Sequence, residues 1–394
     1  MICPNCGSHD LSIFYTIEGV PIHSVLLLKT REEAINYPAG DIALTFCSTC
    51  GFIFNAVVDT RLHEYSENYE STQGYSPTFN RFAQDLANRL IERYDLHGKR
   101  ILEIGCGQGE FISLLCDLGD NTGIGFDPAY DRERSPVYAN QRVTFISDYY
   151  SEKYSKYKAD FICCKMTLEH IQFTRDFIHT IRLSISNRLD TTVFFQVPDV
   201  TRILRECAFW DIYYEHCSYF SPVSLTHLFR DRGFTILNLR RDYDEQYLLI
   251  ETKPASEMEE NLIDTENNLE ALTKDVDTFK RQHQHATGNW KLYLRELTSR
   301  GQRTILWGAG SKAVAFLTTL HIRDEIEYCV DINPYKQGSF MPGSGQRIVS
   351  PQFLKNYRPD VVIVMNPIYL NEIGIALASL DIELELVPVC KLPV

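Results

Sequence analysis

Short apolar runs recur along the middle of this chain, most of them ending at a glycine or an acid. Arg100-Ile101-Leu102-Glu103-Ile104 is the first, Thr122-Gly123-Ile124-Gly125-Phe126 the second, Val143-Thr144-Phe145-Ile146 the third and Ala159-Asp160-Phe161-Ile162-Cys163-Cys164 the fourth. A fifth covers residues 192–197. Runs of this length, bounded by glycine and polar residues, read as buried strands. A helix is expected over about 79–94 and another directly after the glycines that follow the first strand. Strand and helix therefore alternate, which is the pattern of an α/β fold with a parallel sheet.

The pattern changes on both flanks. Residues 254–300 are rich in Glu, Asn, Asp, Lys and Gln, with Leu262, Leu269, Leu272, Val276 and Phe279 near helical spacing. This predicts one or two long amphipathic helices that pack one face on the body. Strands return at Thr304–Trp307, Glu327–Asp331 and Asp360–Met365. With 394 residues the chain exceeds what one core serves, and the changes of pattern divide it at 1–64, 65–253, 254–300 and 301–394.

Charge narrows the partners. A formal net charge of −13 repels a phosphate backbone, so nucleic acid is excluded as a default partner, and a small molecule is expected instead. Met1-Ile2-Cys3-Pro4 lacks the basic and apolar regions of a signal peptide, and no apolar run approaches bilayer length. The expectation is a soluble, cytoplasmic protein.

Twelve cysteines are present, and four of them form two close pairs. Cys3-Pro4-Asn5-Cys6-Gly7 and Cys47-Ser48-Thr49-Cys50-Gly51 are Cys-x-x-Cys-Gly knuckles, each able to grip one ion from a tight turn. Two such knuckles supply the four thiolates that structural zinc prefers. A redox dithiol is the competing reading of either pair alone, and no surrounding βαβ pattern supports it. Residues 7–46 form an insertion between the knuckles with room for a hairpin.

The first central strand runs into Glu103-Ile104-Gly105-Cys106-Gly107-Gln108-Gly109. Three glycines there let a ligand lie against the backbone with no Cβ in the way. The spacing departs from the Gly-x-Gly-x-x-Gly of dinucleotide sites, because residue 110 is Glu. Asp127 ends the second strand, where an acid can hold both hydroxyls of a ribose. Asp148 follows the third strand, suitably placed for an adenine amino group. Ordinary turn roles are the competing reading of both acids. This succession closely resembles the class I S-adenosylmethionine methyltransferases over about 90–250.

After the fifth strand comes Trp210-Asp211-Ile212-Tyr213-Tyr214-Glu215-His216-Cys217-Ser218-Tyr219-Phe220-Ser221, dense in titratable groups. Taken with the knuckles, the glycine loop and a C-terminal Rossmann-like unit, in that order, it resembles the C-methyltransferases of nucleotide-linked deoxysugars. The resemblance implies methylation of the carbon next to the ketone of a nucleotide-linked 4-keto-6-deoxysugar through an enolate. It implies His216 as the base, Glu215 as its orienting partner, Tyr214 and His170 near the substrate oxygens, and Tyr75 as a cap. It implies cofactor contacts from Tyr69, Glu103, Gly105, Gly107, Gly109, Asp127, Pro128, Asp148 and Tyr149, and substrate contacts from Ser218 and Tyr219. Two segments depart from the sugar enzymes. Tyr243-Asp244-Glu245-Gln246-Tyr247-Leu248 lacks their Gly-Gly-Ser run, and the tyrosine-serine segment reads Tyr69-Glu70-Ser71-Thr72-Gln73-Gly74-Tyr75.

Near the C-terminus, Gly308-Ala309-Gly310-Ser311-Lys312-Ala313 follows a strand, and read alone it suggests NAD. The resemblance implies instead that this unit binds the acceptor's nucleotide, with Lys312, Asn366 and Tyr369 as candidate contacts. Methyl transfer to oxygen or nitrogen of another metabolite is the second reading. An NAD-dependent reductase carrying an S-adenosylmethionine sensor is the third.

Overall fold

The computed structural model describes residues 1–62, 69–70, 72–133, 141–256 and 265–391. Ser71 and Leu262, which entered the sequence reading, lie outside these. The alternation of apolar positions produces three sheets. β1 (Leu11–Pro21) and β2 (Ala39–Cys47) pair antiparallel between the two knuckles, and β3 (Ile53–Asn55) extends the pair.

The central sheet begins with β4 (Arg100–Ile104), β5 (Thr122–Phe126), β6 (Val143–Ile146), β7 (Phe161–Lys165) and β8 (Thr192–Pro198), all parallel. β9 (Ser218–Tyr219) leaves this unit and pairs with β3, tying the cysteine-bearing sheet to the segment that carries His216. β10 (Phe234–Asp242) and β11 (Tyr247–Pro254) then close the central sheet antiparallel beside β8, giving the order β10-β11-β8-β7-β4-β5-β6. The order reverses between β4 and β7, so a cleft opens there at the carboxyl ends of the strands. This is the class I methyltransferase sheet.

The third sheet is wholly parallel. It holds β12 (Thr304–Trp307), β13 (Tyr328–Val330), β14 (Arg347–Val349), β15 (Val361–Val364) and β16 (Glu385–Pro388), in the order β14-β13-β12-β15-β16.

A single helix, Thr265–Ser299, spans 35 residues. Its apolar stripe buries Leu272, Val276, Phe279, Trp290, Leu294 and Leu297. Phe279 meets the rings of Phe14 and Tyr15 at 6.0 and 5.5 Å, while Trp290 meets Phe316 edge-on at 5.0 Å. One stripe thus packs on both the N-terminal hairpin and the C-terminal unit, so the helix is a spine rather than a free tether. Among the described residues no helix is long and apolar enough to cross a membrane.

Candidate active site

β4 delivers the glycine loop to the cleft. Gly105 has φ +70°, and a Cβ there would lie 1.9 Å from Thr167 Oγ1, so the loop rests flush on the turn after β7. Gly107, at φ +55°, points its missing Cβ into open space, leaving a cradle in which a ligand can lie on the backbone. Asp127 accepts hydrogen bonds from the backbone N–H of Gly107 and of Ala129, each at 2.8 Å. Pro128 sits between these anchors, and burial raises the Asp127 carboxyl above its usual range. Glu103 lies beneath the loop, 2% exposed, its carboxyl pushed up to about 8 by burial while Lys165 pulls the other way. Glu110 opens the following helix at Gly109 and accepts from Thr72 Oγ1 at 3.2 Å. These groups suit a ligand with a ribose and an amino acid end.

Asp148 is placed differently from the expectation. It accepts from Lys153 Nζ and Tyr154 Oη, both at 2.5 Å, which hold its carboxyl below the usual range. It is therefore not an open acceptor for adenine. Tyr149 beside it is exposed.

The second wall comes from the segment after β8 and the turn after β7. The His170 and His216 rings stand perpendicular with centroids 4.8 Å apart, and the Tyr213 ring lies 4.3 Å from His216. A Glu169 carboxylate oxygen and ring nitrogens of His170 and His216 all fall within 4.8 Å of one another. Glu169 is 1% exposed, neither oxygen has a hydrogen-bond partner among the described residues, and burial pushes its carboxyl up to about 8. Ser218 Oγ donates to the Ile171 carbonyl at 2.7 Å and Cys217 Sγ to the Glu169 carbonyl at 3.7 Å, which stitches the two walls together.

Several expected roles change here. Glu215 turns away from His216: its Oε2 accepts from the Ser24 backbone N–H at 3.0 Å, and its carboxyl also takes a bond from Tyr69. The acid beside His216 is Glu169. Tyr214 is a core residue, 1% exposed, its hydroxyl accepting from the Asp59 N–H at 2.8 Å and its ring lying against Gly40. The tyrosine facing His216 is Tyr213. Tyr219 is buried and donates to the Tyr213 carbonyl at 3.2 Å, and Ser218 spends its hydroxyl on Ile171, so both position the wall. Tyr69 bonds to Glu215, and its ring lies 6.5 Å from that of His23. Tyr75 is 42% exposed and lies beside Tyr335, centroids 6.4 Å apart.

The C-terminal candidates form the seam between units. Lys312 and Arg202 both bond to Asp211, a buried cluster in which the lysine's charge is already matched. Lys312 is therefore no free phosphate receptor. Asn366 Oδ1 accepts from Gln246 Nε2 at 3.0 Å, and Tyr369 Oη bonds to Tyr243 Oη at 2.6 Å and to Gln73 at 3.1 Å. The cavity lined by Lys312 and Asn366 measures about 60 Å³, too little for a nucleotide. Asp331 repeats the Asp127 arrangement, accepting from the N–H of Ala309 at 3.0 Å and of Asn333 at 2.9 Å.

Cys3, Cys6, Cys47 and Cys50 converge, with Sγ–Sγ separations of 3.8 Å for Cys3–Cys50 and 3.7 Å for Cys6–Cys47. Zinc–sulfur bonds of about 2.3 Å in a tetrahedron place sulfurs about 3.8 Å apart, so the donor set fits that ion.

Comparison with known proteins agrees with this geometry. Residues 77–239 match a methyltransferase domain family and residues 248–381 a C-methyltransferase C-terminal domain family. The chain is similar to the C-methyltransferase NovU of Streptomyces niveus, 24% identical over 306 residues, covering 73% of this chain and 71% of the relative. Among solved structures, PH0226 protein of Pyrococcus horikoshii gives a TM-score of 0.39 at 16% identity, covering 48% of this chain and 100% of the other. The 1,6-didemethyltoxoflavin-N1-methyltransferase of Burkholderia thailandensis gives 0.35 at 15% identity, covering 44% and 79%. Structural similarity at that level carries no functional argument. Loop, sheet and domain matches together define an S-adenosylmethionine-dependent methyltransferase. More narrowly, the methyltransferase domain is followed in this chain by a region that matches a C-methyltransferase C-terminal domain family.

Proposed function

We propose that this enzyme methylates the carbon next to the ketone of a nucleotide-linked 4-keto-6-deoxysugar. The observation that carries the reading is the cluster of buried His216 and Glu169 with half-buried His170 and Tyr213. Similarity to a C-methyltransferase supports it. Methyl transfer to carbon needs a base for the proton α to the carbonyl and donors for the enolate oxygen.

Bound S-adenosylmethionine supplies an electrophilic methyl on a sulfonium sulfur; the glycine loop and Asp127 would hold it. His216 removes the α proton and keeps it on an imidazole nitrogen. Tyr213 Oη and His170 stand ready to donate to the developing enolate oxygen. That carbon is the one that would take the methyl from the sulfonium sulfur of the bound cofactor, and the carbonyl would reform on transfer. Glu169 acts as a positioning residue, because an imidazolium beside it favours the charged carboxylate and is stabilised by it. The four cysteines would hold a structural zinc, with no coordination position left for chemistry.

The test is exchange chemistry. Enzyme with S-adenosylhomocysteine and dTDP-4-keto-6-deoxysugars in heavy water should wash deuterium into the carbon beside the ketone. His216→Ala should slow that exchange by roughly 10²–10⁴-fold, the usual worth of a general base, with cofactor affinity nearly intact. A variant that exchanged at the parent rate would remove His216 as the base. No exchange with any keto-sugar would move the methyl acceptor to oxygen or nitrogen.

A further inference from the structure

Lys165 is a cation that the proposed chemistry does not use. It ends β7 one residue past the Ile104–Cys164 pair, so it emerges beside the first glycine of the loop. Its ammonium lies 3.5 Å from the centroid of the Phe111 ring, a cation–π contact that fixes the side chain in place. Among the described residues its ammonium joins no ion pair or hydrogen bond. Glu103 and Glu110 act on it electrostatically, and burial holds its ammonium below the usual lysine range. Next to it, Glu103 is buried and its Oε2 has no partner among the described residues. A half-buried cation and a buried acid therefore flank the glycine loop with no hydrogen bond between them.

We propose that Lys165 receives the α-carboxylate of the cofactor's amino acid end, while the free oxygen of Glu103 receives its α-ammonium. A zwitterion meets both signs at once. A phosphate group fits worse, because Glu103, Glu110 and Asp127 would surround it with negative charge. Binding the ammonium lowers the cost of the Glu103 charge, and binding the carboxylate does the same for Lys165. The proposal rests only on the cofactor assignment and stands whatever the methyl acceptor is.

Titration calorimetry with two ligands tests it: S-adenosylhomocysteine and its decarboxylated analogue, against the parent enzyme, Lys165→Met and Lys165→Arg. Lys165→Met should weaken S-adenosylhomocysteine by roughly 10–100-fold, the worth of one charge-assisted bond, and the decarboxylated ligand by less than about threefold. Lys165→Arg should recover part of the loss. Equal weakening of both ligands by Lys165→Met, or none, overturns the proposal. If that variant does not fold, the parent enzyme alone decides: a preference below about threefold for the carboxylate-bearing ligand overturns the proposal as well.

Discussion

Glu169 shows how much one buried carboxyl can set. With burial raising it from the ordinary 4.5 to about 8, the folded chain holds a proton that the unfolded chain releases. Folding then binds protons between those values, so this residue's contribution falls as pH rises from about 4.5 to 8 and is constant beyond. Glu169→Gln keeps the shape and removes the titration. We expect its Tm to drop less than the parent's between pH 5.5 and 8, read by calorimetry at matched ionic strength. Equal drops would show that Glu169 is not held protonated. In kinetics the same variant should lower kcat and shift the basic limb of the pH profile, which a purely structural role would not move. Tyr213 and Tyr214 make a related point. Adjacent tyrosines read alike in a sequence, yet one ring lies 4.3 Å from His216 and the other is packed on Gly40.

At the scale of elements, turns do the placing. Met166 adopts φ +51°, and this left-handed residue bends the chain between Lys165 and Thr167 so that both reach the glycine loop. The β10–β11 connection is bent more sharply. Tyr243, Asp244 and Glu245 have φ values of 55°, 56° and 56°, a conformation that costs side chains energy. The turn nevertheless seats Tyr243 against Tyr247, stacked at 5.0 Å, and against Tyr369 of the C-terminal unit. Glu245 is exposed, so Glu245→Gly should relieve strain at no packing cost. We expect about 0.5–1 kcal/mol of added stability in urea melts, offset partly by glycine's greater freedom when unfolded. A loss instead would mean that the Glu245 side chain supports the turn.

Across the whole molecule, Glu70, residues 72–78 and the long helix couple three units around one cleft. Glu70 accepts from Asn333 Nδ2 at 3.1 Å and Ser76 Oγ donates to Glu372 at 2.7 Å, while Thr72 reaches Glu110 at the glycine loop. The cysteine cluster docks on the same body, Asn5 Nδ2 donating to the Ser224 carbonyl at 3.1 Å. Stripping a metal from the four thiols should therefore loosen the wall that carries His216 through the β3–β9 pairing. We expect about one zinc per chain by elemental analysis, and a Tm lowered by a strong chelator and restored by added zinc. A chain that is metal-free and melts identically with chelator would assign the cysteines another role.

The local signals were legible in the chain because they depend on neighbours in sequence. Strand runs, the glycine loop, the acid after β5, the paired knuckles and the amphipathic stripe of residues 265–299 all follow from period and spacing. Long-range pairing is different. That Glu169 and not Glu215 faces His216, that Asp148 is occupied by Lys153 and Tyr154, and that Lys312 is matched by Asp211 depend on residues brought together by sheet order and side-chain direction. Glu169 carried one usable signal, an acid directly before a histidine in the turn after a strand, but nothing local says which way its side chain turns. Burial, and with it the charge state of Glu103, Glu169 and Lys165, is a property of the packed molecule, because only packing removes water from a charged group.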